Sequence, residues 1–229
     1  MRLYVETRIR ADLEDLWERT RNPVQHQRWD LRFTEIACLP GGPGDTQRFR
    51  YATRVLPFLT ITGTGISAGE RRRADGERVS ALRFASAHPL SLLAEGSGYW
   101  RYVPTPDGIR FLTGYDYRTR WGRPGAGVDR LVLRPLMGWA TAWSFDRLRL
   151  WCERGISPAR SLGHALAEVG VRLLAVLSLL PFGPAAALVA VVASLLLPPL
   201  PTTPAARRCL RRPPARTATP ALLARLEHP

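Results

Sequence analysis

Apolar and polar side chains alternate at the start of the chain. Leu3, Val5, Thr7 and Ile9 fall on one face, Arg2, Glu6, Arg8 and Arg10 on the other, and a period of two predicts a half-buried strand. Asp12 then caps a short helix that places Leu13, Leu16 and Trp17 on one face and ends at Asn22-Pro23. The segment that follows carries Trp29, Phe33 and Ile36 before the Gly41-Gly42-Pro43-Gly44-Asp45 turn. Strands are predicted over 47–55, 58–67, 78–85, 95–103 and 109–121, with Ala74-Asp75-Gly76 and Pro106-Asp107-Gly108 as hairpin turns. The last strand has the clearest pattern. Ile109, Phe111, Thr113, Tyr115, Tyr117, Thr119 and Trp121 share a face opposite Arg110, Leu112, Gly114, Asp116, Arg118 and Arg120. Strands joined by short turns predict an antiparallel sheet with one solvated face.

Beyond Gly122-Arg123-Pro124-Gly125 the period lengthens. Leu133, Leu136, Met137, Ala140, Trp143, Ser144, Leu148 and Trp151 recur at three and four, which predicts an amphipathic helix over 129–153 with Pro135 near its start or at a kink. The inner face of the sheet is the one large apolar surface that can cover its stripe. Gly155 and Pro158 then precede a second amphipathic stretch, 159–170.

From Leu173 to Leu200 no residue is charged. As one helix the run would reach about 42 Å at ~1.5 Å per residue, enough for a bilayer core of about 30 Å. Pro181-Phe182-Gly183-Pro184 splits it into halves, 169–180 and 185–197. Each half is too short to cross alone, which suits a re-entrant or interfacial hairpin. Arg154, Arg160 and Arg172 precede the run, and Arg207, Arg208, Arg211, Arg212 and Arg216 follow it. Both flanks therefore favour the cytoplasmic side, and the charged, alternating first ten residues have no apolar signal-peptide core. A hairpin with both ends at the cytoplasmic face is the preferred reading; a single kinked span and a buried helical pair are the alternatives. The segment 198–214, rich in Pro and Arg, is expected to be disordered, and Thr219-Pro220-Ala221 opens a last short helix ending near Glu227.

Composition changes this picture little. The net charge is +14, but all 33 basic residues are arginine, which together with the wealth of Ala, Gly and Pro points to nucleotide bias, not a phosphate-reading surface. No nucleic-acid partner is expected; Arg207, Arg208, Arg211 and Arg212 are better placed for anionic lipid headgroups. Cys38, Cys152 and Cys209 offer no disulfide framework or zinc spacing, which fits a reducing compartment. No metal or cofactor is expected.

The opening strand, Leu16-Trp17, Asn22-Pro23, Trp29 with Phe33 and Ile36 behind it, and the long terminal helix resemble the SRPBCC superfamily, which includes START lipid-transfer domains and polyketide cyclases. The resemblance covers residues 1–155. It implies an α+β helix-grip fold, a curved antiparallel sheet around a long C-terminal helix, with a hydrophobic pocket between the two. Residues 159–200 add the membrane-associated helices and 201–229 the tail. Pocket-facing candidates are Tyr115, Tyr117 and Trp121 from the last strand, Trp139 and Trp143 from the helix, Trp29 and Phe33 from the segment after the first helix, and Arg101 if its side points inward, where it would hold an acidic ligand.

Motifs with chemical potential yield less. Gly65-Ile66-Ser67-Ala68-Gly69 matches a nucleophile-elbow pattern, but a hairpin rather than a helix follows it. His26 and His88 sit in predicted loops near the pocket rim, and neither has a metal-ligand neighbour at suitable spacing. Three functions remain open. One is a membrane-tethered binding protein for a lipid-like molecule; the second is a cyclase- or aromatase-like enzyme acting on an apolar carbonyl substrate, for which the sequence shows no acid–base pair; the third is an adaptor whose pocket is incidental and which binds no ligand.

Overall fold

The computed structural model describes residues 3–41 and 46–214. Strands β1 (Leu3–Ile9), β2 (Glu35–Cys38), β3 (Arg48–Leu56), β4 (Leu59–Arg72), β5 (Arg78–Ala85), β6 (Leu93–Thr105) and β7 (Gly108–Thr119) form one sheet in the order β1-β7-β6-β5-β4-β3-β2. Every pairing is antiparallel. Helices are α1 (Leu13–Arg21), α2 (Pro23–Trp29), α3 (Gly122–Val128), α4 (Arg134–Arg154), α5 (Pro158–Leu179) and α6 (Pro184–Leu196). The curved sheet gripping α4 is the helix-grip plan.

Local chemistry explains the element ends. The Asp12 carboxylate accepts from the backbone N–H groups of Glu14 and Asp15 and so caps α1. Asn22-Pro23 ends α1 and also starts α2: the Asn22 side chain accepts from the amides of Val24 and Gln25, and Pro23 occupies the first turn, where no N–H is needed. This second helix replaces the loop expected there. Gly155, with φ 64°, terminates α4, and Ser157-Pro158 begins α5 immediately afterwards.

The core lies between α4 and the inner face of β1, β6 and β7. Val5, Ile9, Trp29, Trp100, Phe111, Phe145 and Leu148 are all buried in one cluster, with the Phe111 and Phe145 rings stacked at 4.5 Å. Arg147, buried on α4, ties three segments together by donating to the carbonyls of Arg28, Trp29 and Pro158 at 3.2, 3.3 and 2.8 Å. Burial among apolar neighbours pulls its pKa down to about 10.

Helix formation starts earlier than the sequence pattern suggests. β7 stops at Thr119, Trp121 turns the chain at φ 68°, and α3 begins at Gly122. A π-helical turn over Asp129–Leu133 links α3 to α4. It directly precedes Pro135, whose missing N–H and ring clash the widened turn absorbs. Tyr117 donates to Asp129 Oδ1 at 2.5 Å and Arg134 Nε donates to Oδ2 at 3.0 Å, pinning this turn to β7.

The amphipathic stretch and the first half of the apolar run merge into α5, since no breaker separates them. α5 and α6 form an antiparallel hairpin. Leu180–Phe182 and Gly183 (φ 103°) make its apex, and Arg172 on α5 donates to the carbonyls of Leu197 and Pro198 at 3.1 and 3.2 Å, beyond the last turn of α6. Glu168 pairs with Arg172 and accepts from the Leu200 amide at 3.1 Å. Arg172 also donates to the Ser194 carbonyl, one of those in the last turn of α6 that lack an intrahelical partner, while Glu168 holds the amide of the chain leaving the helix. Pro158–Phe182 (25 residues) is long and apolar enough to cross a membrane, and none of its most apolar window is buried.

Residues 198–210 form an ordered strap, which corrects the expectation of disorder. The Ala205 amide and Arg208 Nη1 donate to Asp146 Oδ2 at 2.8 and 3.0 Å, Cys209 Sγ donates to the Ala142 carbonyl at 3.2 Å, and Leu210 exchanges two 2.9 Å backbone hydrogen bonds with Glu6. Buried partners on α4 and β1, invisible in local composition, supply the ordering energy. Gly42–Asp45, Arg216 and the terminal helix expected from Thr219 lie outside the described residues.

Candidate functional site

A cavity of about 400 Å³ lies between the inner face of the sheet and the π-turn and first turn of α4, within the size range of small-molecule sites. Phe49, Tyr51 and Phe84 wall it from the sheet side, and Leu133 and Met137 from the helix side. Glycines on the inner face let the aromatic rings lie flat on the backbone. A Cβ at Gly65 would sit 2.1 Å from Phe49 Cζ, and one at Gly63 2.3 Å from Tyr51 Cζ. With side chains at these positions the rings would be pushed into the space they now border.

One end of the cavity is polar. His26 on α2 and Arg32 in the loop after it both line the cavity and both engage Asp30. His26 Nε2 is 3.1 Å from Asp30 Oδ2, while Arg32 donates from Nε to Oδ1 at 2.9 Å and from Nη2 to Oδ2 at 2.6 Å. Asp30 is fully buried. Burial alone would raise its pKa, but the Arg32 guanidinium and the His26 hydrogen bond hold it well below the usual carboxylate range. Arg32 is correspondingly raised by the Asp30 charge against its own burial. His26 moves the other way. Its ring is stacked on Trp29 at 4.9 Å and edge-on to Trp100 at 4.8 Å and Phe33 at 5.4 Å, and desolvation lowers its pKa because the charge of Asp30 is already matched by Arg32. The result is a neutral imidazole beside an ion pair. Since an ionised carboxylate only accepts, Nε2 carries the proton and Nδ1 the lone pair.

Sequence-predicted residues divide sharply. Phe33 and Tyr115 line the cavity; Arg32 lies over both rings at 5.4 and 5.5 Å, and the Tyr115 hydroxyl is 3.0 Å from Thr141 Oγ1. The other six are not among its lining residues. Trp29 is fully buried behind His26, donating from Nε1 to the Arg19 carbonyl at 2.9 Å. Tyr117 is held by Asp129, and burial together with that carboxylate raises its pKa. Trp143 packs in the core with Arg147 over its ring at 5.0 Å. Arg101 points to the opposite face of the sheet, where Glu77 accepts from its Nε and Nη2 at 2.9 and 2.7 Å, because Trp100 occupies the inward position. Trp121 is 50% exposed, beyond the end of β7, and Trp139 is 44% exposed on the outer side of α4. Ser67 lies within β4, so the elbow that a nucleophilic serine requires is not formed there. His88 stays in the loop between β5 and β6, accepting from the Leu90 amide.

The sequence reading passed over Asp30 and Arg32 and treated His26 as a loop residue. The available signal was the His26-x-x-x-Asp30 spacing, which places both on one face only if Asn22-Pro23 opens a helix.

No family model matches the chain. A curated relative, the uncharacterised membrane protein YndG of Bacillus subtilis (strain 168), is 48% identical over 168 residues, an alignment covering 73% of this chain and 63% of the relative. The chain therefore spans under two thirds of that protein. Among solved structures, a hypothetical protein from Helicobacter pylori superposes with a TM-score of 0.54 at 13% identity over 67% of this chain and 88% of that one. A STAR-related lipid transfer protein fragment from Xanthomonas axonopodis follows at 0.49, with 17% identity over 65% and 83% of the two chains. At these identities the likeness concerns the fold, and the Helicobacter structure carries it.

Proposed function

We propose that the chain is a membrane-attached binding protein for an apolar small molecule, held between the sheet and α4. One observation carries this reading: a largely apolar cavity of about 400 Å³ in a chain that also exposes an apolar helical hairpin. Leu166, Leu174, Leu188 and Leu195 all face solvent on the hairpin, and Phe182 at its apex is 77% exposed. An apolar surface this continuous marks a membrane or protein contact, and the name of the Bacillus relative supports the membrane. From Arg172 to Phe182 the hairpin measures about 15 Å, half of a ~30 Å hydrocarbon core. It enters one leaflet and returns, keeping both ends on one side, with the Arg172–Glu168 pair at the headgroup level. We assign that side to the cytoplasm on the arginine flanks. Arg207, Arg211 and Arg212 remain the headgroup-contacting candidates, whereas Arg208 is engaged by Asp146 and three backbone carbonyls.

Binding of 1-aminoanthracene to the full chain in nanodiscs, corrected for empty nanodiscs, tests the cavity. Saturable one-to-one binding lost in Leu82→Trp, which places an indole in the cavity, supports the reading; equal signals from both proteins and from empty discs oppose it. The cyclase-like alternative gains one specific observation, the His26–Asp30 contact, which is the acid–base pair the sequence did not show. Its own test is turnover of an apolar 1,3-dicarbonyl substrate that is abolished in His26→Gln while binding persists.

A further inference from the structure

We infer that the molecule held in the cavity is uncharged at its inner end and carries both a hydrogen-bond donor and an acceptor there, read by His26 and Arg32 respectively. This rests on the cavity being a binding site.

The charged side chains lining the cavity are already neutralised. Arg32 is matched by Asp30, and Arg21 by Glu70, with a further bond from Arg21 Nη1 to Ser80 Oγ at 2.9 Å. An entering carboxylate or phosphate would find no unmatched cation and would lie close to the Asp30 charge in a poorly solvated space, where like charges repel strongly. An anionic headgroup is therefore disfavoured at this end.

A neutral group finds complementary partners. The neutral His26 has committed Nε2–H to Asp30, so Nδ1 is an acceptor with no protein partner among the described residues. Asp30 takes two of the five N–H donors of Arg32, one from Nε and one from Nη2, and the Tyr115 hydroxyl engages a third, so the guanidinium keeps donors beyond those its neighbours use. His26 and Arg32 bind the same carboxylate oxygen, at 3.1 and 2.6 Å, so both side chains belong to one end of the cavity. A primary amide, a protonated carboxyl or an enol beside a carbonyl supplies both donor and acceptor. Trp100 and Phe33 around the imidazole and Tyr115 under the guanidinium favour a flat, unsaturated framework next to that group.

Three naphthalenes of one shape separate the possibilities: 2-naphthamide with donor and acceptor, 2-methylnaphthalene with neither, and 2-naphthoate with a charge. Affinities are measured at pH 7.5 on the full chain in nanodiscs against empty-disc blanks. The amide is expected to bind about tenfold more tightly than the other two, or about 1.4 kcal/mol. His26→Phe is expected to bring the ratio of amide to 2-methylnaphthalene affinity down to about one; His26→Gln, which keeps a donor for Asp30 and an acceptor for the ligand, retains part of the advantage. Naphthoate binding as tightly as the amide would overturn the inference while preserving the cavity reading, as would an amide advantage that survives in His26→Phe. Failure of all three probes to exceed the blanks would overturn the cavity reading itself and the inference with it.

Discussion

Asp146 offers the sharpest test of how the hairpin is fixed to the helix-grip fold. Its side chain is fully buried on α4 and receives Arg149 Nε at 2.7 Å, the Ala205 amide at 2.8 Å and Arg208 Nη1 at 3.0 Å. Asp146→Ala removes the acceptor and leaves a buried amide and two guanidinium contacts unmatched. Breaking a buried ion pair from one side costs about 3–5 kcal/mol. Arg149 keeps Glu153, and Arg208 keeps the carbonyls of Thr203, Pro199 and Leu200, so the lower end of that range applies. The strap ends in only two backbone bonds to Glu6, which makes local release easier than global unfolding. About 3 kcal/mol corresponds to a rise of about a hundredfold in local opening. Hydrogen exchange read by mass spectrometry should show the Ala205 and Leu210 amides losing that protection while the amides of β6 and β7 keep theirs. Asp146→Asn should lie between the two. A folded Asp146→Ala protein whose Ala205 and Leu210 amides exchange as slowly as wild type would refute the assignment of Asp146 as the pin.

Other consequences follow from the same structure. His26 has its pKa lowered by burial from an ordinary 6.5, so below about pH 6.5 the unfolded chain binds a proton the folded one refuses, and stability falls as pH drops. Asp30, also lowered, adds stability that persists above its ordinary 3.8 and is lost on further acidification. Urea midpoints between pH 7.5 and 5 should therefore decline in wild type and decline less in His26→Gln; a wild-type gain on acidification would contradict the neutral imidazole. Gly65→Ala should push the Phe49 ring into the cavity, costing about 1–3 kcal/mol and weakening 1-aminoanthracene binding; unchanged affinity would show that the ring does not border the bound probe. A nitroxide at position 182, introduced as Phe182→Cys with Cys38→Ser, should report oxygen accessibility typical of the bilayer centre, whereas one at Leu173→Cys should report the headgroup region. Equal depths would rule out a hairpin entering from one side.

Much of the architecture is legible in the sequence because it depends on local rules. The period of two from Ile109 and the Pro106-Asp107-Gly108 turn give β7 and its hairpin with β6, where Gly108 adopts φ 120°. Pro181-Phe182-Gly183-Pro184 marks the hairpin apex for the same reason. Where one signal serves two elements, the reading fails: Asn22-Pro23 stops α1 and also caps α2, and missing α2 hides the His26–Asp30 pair. Arg101 illustrates the limit of aromatic-rich strands, since Tyr99, Trp100 and Tyr102 give no parity until Trp100 and Tyr102 are seen in the core. The strap is illegible for a different reason. Its order depends on Asp146 and Glu6, far away in sequence, and a Pro/Arg-rich composition carries no trace of them.

Native mass spectrometry of the full chain ejected from nanodiscs, wild type beside Leu82→Trp, tests the central claim most directly. The account predicts a one-to-one bound small molecule on the wild-type chain, neutral and unsaturated, that is missing from Leu82→Trp, with bilayer lipids attached equally to both. Bilayer lipids alone, in equal amounts on the two proteins, would contradict a ligand held between sheet and helix.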